Sequence, residues 1–176
     1  MSIPISVAGD REKQILRRYR ATPLRPAIYL MAINCVYFGM ALFGMLILIV
    51  AAKIFFGLRF QGNWLSVLGG FVVSALAFFS VGYVVASLSP TARVAQVIGQ
   101  LAFFPMMFLS GAAIPTQIMP ANVQRVSNAL PLTYVVRLLQ GLWSGESWGR
   151  HLTEVGILAA MLLIGSLVSS RAFRWE

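Results

Sequence analysis

Charge is what this chain has least of. Only 11% of its residues are Asp, Glu, Lys or Arg, and just five of them are acids, whereas 59% are hydrophobic. That balance excludes an ordinary soluble domain. A single cysteine, Cys35, excludes an intrachain disulfide and a cysteine metal cluster. The one histidine, His151, has no carboxylate or cysteine partner at ligand spacing, so no metal site is expected. H-E-x-x-H, G-x-S-x-G and paired acids within an apolar run are all missing, which argues against an intramembrane protease. A G-x-x-x-x-G-K-[ST] phosphate loop is missing too, so the chain cannot hydrolyse ATP itself. No catalytic residue and no cofactor site is expected. The N-terminus lacks the cleavable apolar core of a signal peptide, so insertion is expected to rest on internal spans.

What the chain does have is long uncharged runs. Pro26 to Ala52, Phe60 to Ala92, Val94 to Gln124 and Val155 to Ser170 each carry no charged residue. A helix needs about 20 apolar residues to cross the hydrocarbon core, so each run can supply one crossing. The expected spans are 27–52, 64–88, 94–112 and 151–170, in an all-α integral membrane protein forming a single membrane domain over 1–176. Fourteen Lys and Arg against five acids give a net charge of +9. Nine of the basic residues fall before the first span, in the turn between the second and third, and after the fourth, against five on the other side. The positive-inside rule then puts both termini in the cytoplasm. Nucleic acid is not an expected partner, because no basic segment carries interleaved aromatics. Membrane lipid is.

Three segments interrupt the apolar runs. Asp10 to Thr22 reads as a short amphipathic helix, with Ile15, Leu16 and Tyr19 among Arg17, Arg18 and Arg20, and it is stopped by Pro23 and Pro26. It is expected along the cytoplasmic surface. Ser87-Leu88-Ser89-Pro90-Thr91 reads as a tight turn, making the second and third spans antiparallel neighbours. Pro115 to Gly145 is apolar but cut by Pro115, Pro120 and Pro131, which predicts two helices, about 120–130 and 131–142, each too short to cross.

The stretch Asp10-Arg11-Glu12-Lys13-Gln14-Ile15-Leu16-Arg17-Arg18-Tyr19-Arg20-Ala21-Thr22-Pro23-Leu24, the segment Phe108-Leu109-Ser110-Gly111-Ala112-Ala113-Ile114-Pro115, and Leu130-Pro131-Leu132-Thr133-Tyr134-Val135-Val136 occur in this order. Together they resemble the permeases of ABC-2 type transporters, a family that includes drug and polysaccharide exporters. The resemblance implies a transmembrane subunit of an exporter in the bacterial inner membrane, paired with a second permease copy as homodimer or heterodimer. It also implies a separate ATP-binding subunit as the motor. Residues 10–22 would be the coupling helix, with Asp10, Glu12, Arg17 and Arg18 as its charged contacts, although Gln14 stands where many members have glycine. Residues 115–142 would be an external re-entrant hairpin, with Gly111, Pro115 and Pro131 setting its geometry. Ser2 to Ala8 looks like the cytoplasmic end of the family's second helix, so the chain would lack the first span and most of the second. The alternative is a truncated, non-transporting fragment or a regulator of a full-length permease.

Within the spans, Gln96 and Gln100 are four apart and share a helix face. They suit either an interhelix hydrogen bond or the lining of a transport path, and Asn34 is the same case. Glu154 reads as an acid favoured at a helix N-terminus. Gly156 with Ala160, and Gly165 with Ser169, are small pairs that permit close helix contact.

Overall fold

A computed structural model describes residues 2–12, 26–57 and 60–172, and every described element is helical. The helices are α1 (Ser2–Glu12), α2 (Pro26–Phe56), α3 (Trp64–Leu88), α4 (Ala92–Leu109), α5 (Ala121–Ser127), α6 (Pro131–Trp143) and α7 (Leu152–Ala172). Single 3-10 turns stand at Thr116–Ile118 and Trp148–His151. Four segments are long and apolar enough to cross a membrane: Met31–Phe56, Trp64–Leu88, Ala92–Leu109 and Trp148–Arg171. They follow the four uncharged runs.

Local chemistry sets the limits of α3 and α4. Asn63 caps α3, its side-chain oxygen accepting the Leu65 N–H at 2.8 Å. At the other end the Ser89 hydroxyl donates to the Val85 carbonyl at 2.7 Å, and Pro90 cannot extend the helix. Thr91 then caps α4 by accepting the Val94 N–H at 3.2 Å. The chain has reversed direction within three residues, so α3 and α4 run antiparallel.

Helices in lipid gain little from hiding leucine, because lipid tails are as apolar as leucine; close packing decides which surfaces meet. The most extensive contact is between α3 and α7. Its centre is the fully buried pair Ala77 and Leu158, and the Ser80 hydroxyl reaches across to the Met161 carbonyl at 3.2 Å while bonding Ala77 in its own helix at 2.7 Å. Toward the first turns of α3 the same core takes in Val67, Leu138 and Leu142, so α6 lies against both α3 and α7. By contrast α2 stands apart. Its span has no buried residue, and it meets α3 through a Phe38–Phe71 ring contact at 5.8 Å and a hydrogen bond from the Tyr83 hydroxyl to Asn34 at 2.8 Å.

The helix α1 fills the angle between α3 and α4. Ile3 and Val7 are buried with Tyr83 and Ala86 of α3, Pro4 lies against Gly82, and Gly9 lies against Ala92. From Gly82 to the end of α3 is six residues, so at 1.5 Å per residue α1 starts about 9 Å inside that end and emerges beside the start of α4. Residues 10–12, the first of the segment expected along the membrane surface, are here the last turn of this inserted helix. Residues 13–25 lie outside the described residues.

Candidate functional site

Two sites follow from this frame, one at each end of the bundle. At the α1 end, the Glu12 carboxylate accepts the Ala92 N–H at 3.1 Å. Ala92 opens α4, where backbone N–H groups have no partner within the helix and the dipole favours an anion. A carboxylate there makes a charge-assisted bond, and it ties the last turn of α1 to α4 while the rest of α1 is packed on α3. Asp10 lies two residues earlier in α1 and is half-buried. Arg17 and Arg18, the other two expected coupling contacts, lie outside the described residues.

The opposite end carries the proline-cut stretch. Gly111 follows α4 at φ +91°, a left-handed conformation in which a side chain is strained, and a Cβ there would stand 2.9 Å from the Thr116 methyl. Pro115 opens the 3-10 turn, and Pro131 occupies the first position of α6, where its missing N–H is no loss. Seven-residue α5 and thirteen-residue α6 are both shorter than a crossing helix. Polar clamps hold them together. The Gln124 amide donates to the carbonyls of Thr116 (3.0 Å) and Met119 (2.9 Å). The Thr133 hydroxyl donates to the Ser127 carbonyl at 2.6 Å, and Asn128 accepts from Tyr134 at its carbonyl and from Arg137 at its side chain, both at 2.5 Å. The hairpin is therefore a self-bonded unit, and α6 docks it to the spans through Leu138 and Leu142.

Where α6 turns into α7, His151 is buried, with Nε2 3.1 Å from the Glu146 carboxylate and Nδ1 3.8 Å from that of Glu154. Sequence spacing offers Glu154 as an i,i+3 neighbour; Glu146 arrives only because the Gly145 turn folds back. A neutral imidazole donates from one nitrogen only. With Nε2–H on Glu146, Nδ1 faces an acceptor oxygen, and neither of those two buried atoms has a hydrogen bond. Among the described residues no group of three or more His, Cys, Asp or Glu could hold a metal ion. The ring lies over Gly141, where a Cβ would come within 2.1 Å of Nε2. Gly141→Ala is accordingly expected to displace the ring and lower stability by about 1–3 kcal/mol, whereas Gly149→Ala, which meets only the Ser147 hydroxyl at 3.9 Å, should be neutral. Thermal unfolding in detergent reads the difference.

The polar residues of the spans separate into two kinds. Asn34 is occupied by the Tyr83 hydroxyl and joins α2 to α3. Gln96 and Gln100 do share a face of α4, and both are exposed. Their exposed face is open to lipid, to a path or to another chain.

The family described as ABC-2 type transporter matches residues 1–143 of this chain. The chain belongs to the ABC-2 type transporter membrane family. Curated relatives similar to it include the Nodulation protein J of Rhizobium leguminosarum bv. viciae, 31% identical over 115 residues, covering 64% of this chain and 44% of that protein. The Nodulation protein J of Bradyrhizobium diazoefficiens is 32% identical over the same coverage, and that of Sinorhizobium fredii is 32% identical over 124 residues, covering 67% and 45%. The chain thus spans less than half the length of the curated relatives it matches. No solved structure matches it.

ABC-2 type transporter membrane domains are components of membrane transport. The family match runs from α1 through the last residue of α6, so both the Glu12–Ala92 link and the clamped hairpin fall inside it, while α7 lies beyond.

Proposed function

We propose that this chain is the membrane-spanning subunit of an ATP-driven exporter, energised by a separate ATP-binding subunit. The family match across residues 1–143 is the observation that carries this reading. The lack of a phosphate loop in these residues supports hydrolysis on the other chain. Residues 10–22 are the seat of that subunit, with Asp10, Glu12, Arg17 and Arg18 as its charged contacts. Glu12 has a second role, because its bond to Ala92 makes α1 and α4 move as one when the seat is pushed. The clamped hairpin closes the far end of the path, and Gln96 and Gln100 line that path against a second permease copy. Uncharged spans suit an amphipathic or lipid-linked cargo of drug, lipid or glycan type better than an ion held at the midplane.

The reading sets a sidedness: both termini in the cytoplasm and residues 115–150 outside the inner membrane, as the distribution of basic residues favours. Ser144 is exposed beyond α6, so with Cys35 replaced by serine, Ser144→Cys should react with an impermeant thiol reagent added outside sealed cells. Reaction from the cytoplasmic side alone would overturn the orientation. The transport reading itself is tested by expressing the chain with an ATP-binding subunit encoded beside its gene. Co-purification and ATPase activity that depends on the permease support it. If no such subunit binds, a non-transporting partner of a full-length permease becomes the better account.

A further inference from the structure

A cleft of about 690 Å³ opens between the last turns of α2 and the start of α3. Ile49 and Lys53 of α2 line it on one side and Phe60, Trp64 and Trp143 on the other, together with Gly57 and Gln61. The aromatic wall is a built feature. Phe60 stacks on Trp64 with centroids 4.1 Å apart, and Trp143 meets both rings edge-on at 4.8 and 5.9 Å. These rings support one another without α2. The contacts that do bring α2 to α3, at Asn34 and Phe38, belong to the first half of α2, and the cleft takes their place toward its end.

We infer that this cleft seats one anionic phospholipid, its phosphate on the Lys53 ammonium and an acyl chain past Ile49 along α2. The charge pattern selects the headgroup. Lys53 is the one charged side chain among the described lining residues, and no acid joins it. Glu146, next to the Gly145 that lies against Gln61, has its carboxylate turned to His151. Beside aromatic walls of low polarity, a cation attracts a phosphate more strongly than it would in open water. Indole rings at the headgroup level pack against the glycerol region, because one edge is polar and the face apolar. The apolar remainder of the cleft selects a chain-bearing anion over a free one, since water would be poorly held against Ile49 and Phe60. This seat is independent of the transport reading.

Trp64 and Trp143 make the inference measurable. The full chain is reconstituted in phosphatidylcholine bilayers containing a small fraction of brominated phosphatidylglycerol or, separately, brominated phosphatidylcholine, and tryptophan quenching is titrated. The anionic lipid should quench at about fivefold lower mole fraction, the preference that one basic residue at the surface confers. Lys53→Gln should abolish that preference and Lys53→Arg should keep it; Lys53 is exposed, so neither change threatens folding. Arg125→Gln, an exposed cation on α5, should leave it unchanged. Persistence of the preference in Lys53→Gln overturns the seat. So does an equal loss in Arg125→Gln, which would mean general surface attraction, or displacement of the lipid by excess inorganic phosphate, which would mean a free-anion site.

Discussion

Replacing Arg17 and Arg18 with glutamate is expected to strip the ATP-binding subunit from the purified permease while leaving the permease in the membrane. Insertion is driven by the four apolar spans, none of which includes residues 17–18. Reversing two charges at a docking contact removes attraction and adds repulsion, so a loss of about 3 kcal/mol or more is expected, over a hundredfold in Kd. Raising salt should weaken the wild-type complex only in part, because Ile15, Leu16 and Tyr19 add an apolar component that ions do not screen. Glu12→Gln should behave differently. It spares the docking cations but weakens the bond to Ala92, so the ATP-binding subunit should still bind while permease-dependent ATPase activity falls several-fold. Equal loss of binding in both variants would show that Glu12 acts at the seat alone and not through a link to α4.

How far the sequence could be read depended on whether a feature is local. The start of α3 at Trp64 and of α6 at Pro131 are local, since Asn63 supplies a cap and proline suits a first turn. The same prolines show that residues 115–142 hold only short helices. The clamps of the hairpin are not local in this sense: Asn128 gains its role from Tyr134 and Arg137, which reach it only once α6 has folded back. Reading charge along the chain divided residues 2–12 at Asp10, where solvent changes, whereas the backbone continues one helix across that point. For Gln96 and Gln100 the helical period shows that they share a face, and says nothing of what the face meets. The reading of His151 as lacking a carboxylate partner is corrected on both sides: Glu154 is its i,i+3 neighbour, and Glu146 reaches it across a turn.

The glycines of α7 show the same limit and yield the sharpest test of the bundle. Gly156 and Gly165 each stand four residues before another small residue, and by spacing alone either could mark a close helix contact. In the structure they differ. A Cβ on Gly156 meets nothing within 4 Å, whereas one on Gly165 would stand 2.5 Å from the Ser80 hydroxyl, 2.9 Å from its Cβ and 3.2 Å from its carbonyl carbon. Ser80 cannot yield easily, because the last of these atoms is α3 backbone and its hydroxyl is committed to Ala77 and Met161. Gly165→Leu must therefore push α7 away from α3, opening the bundle's most extensive contact and the bond from Ser80 to Met161. Overpacking of this kind costs about 1–3 kcal/mol and occasionally more. The value should fall at the top of that range here, since van der Waals contact is most of what holds two helices together in lipid. Gly156→Leu adds an apolar side chain to an open, exposed position and should be neutral. Unfolding of both variants in mixed micelles, followed by helical circular dichroism, reads the contrast; equal stability would show that α3 and α7 do not pack through Ser80 and Gly165.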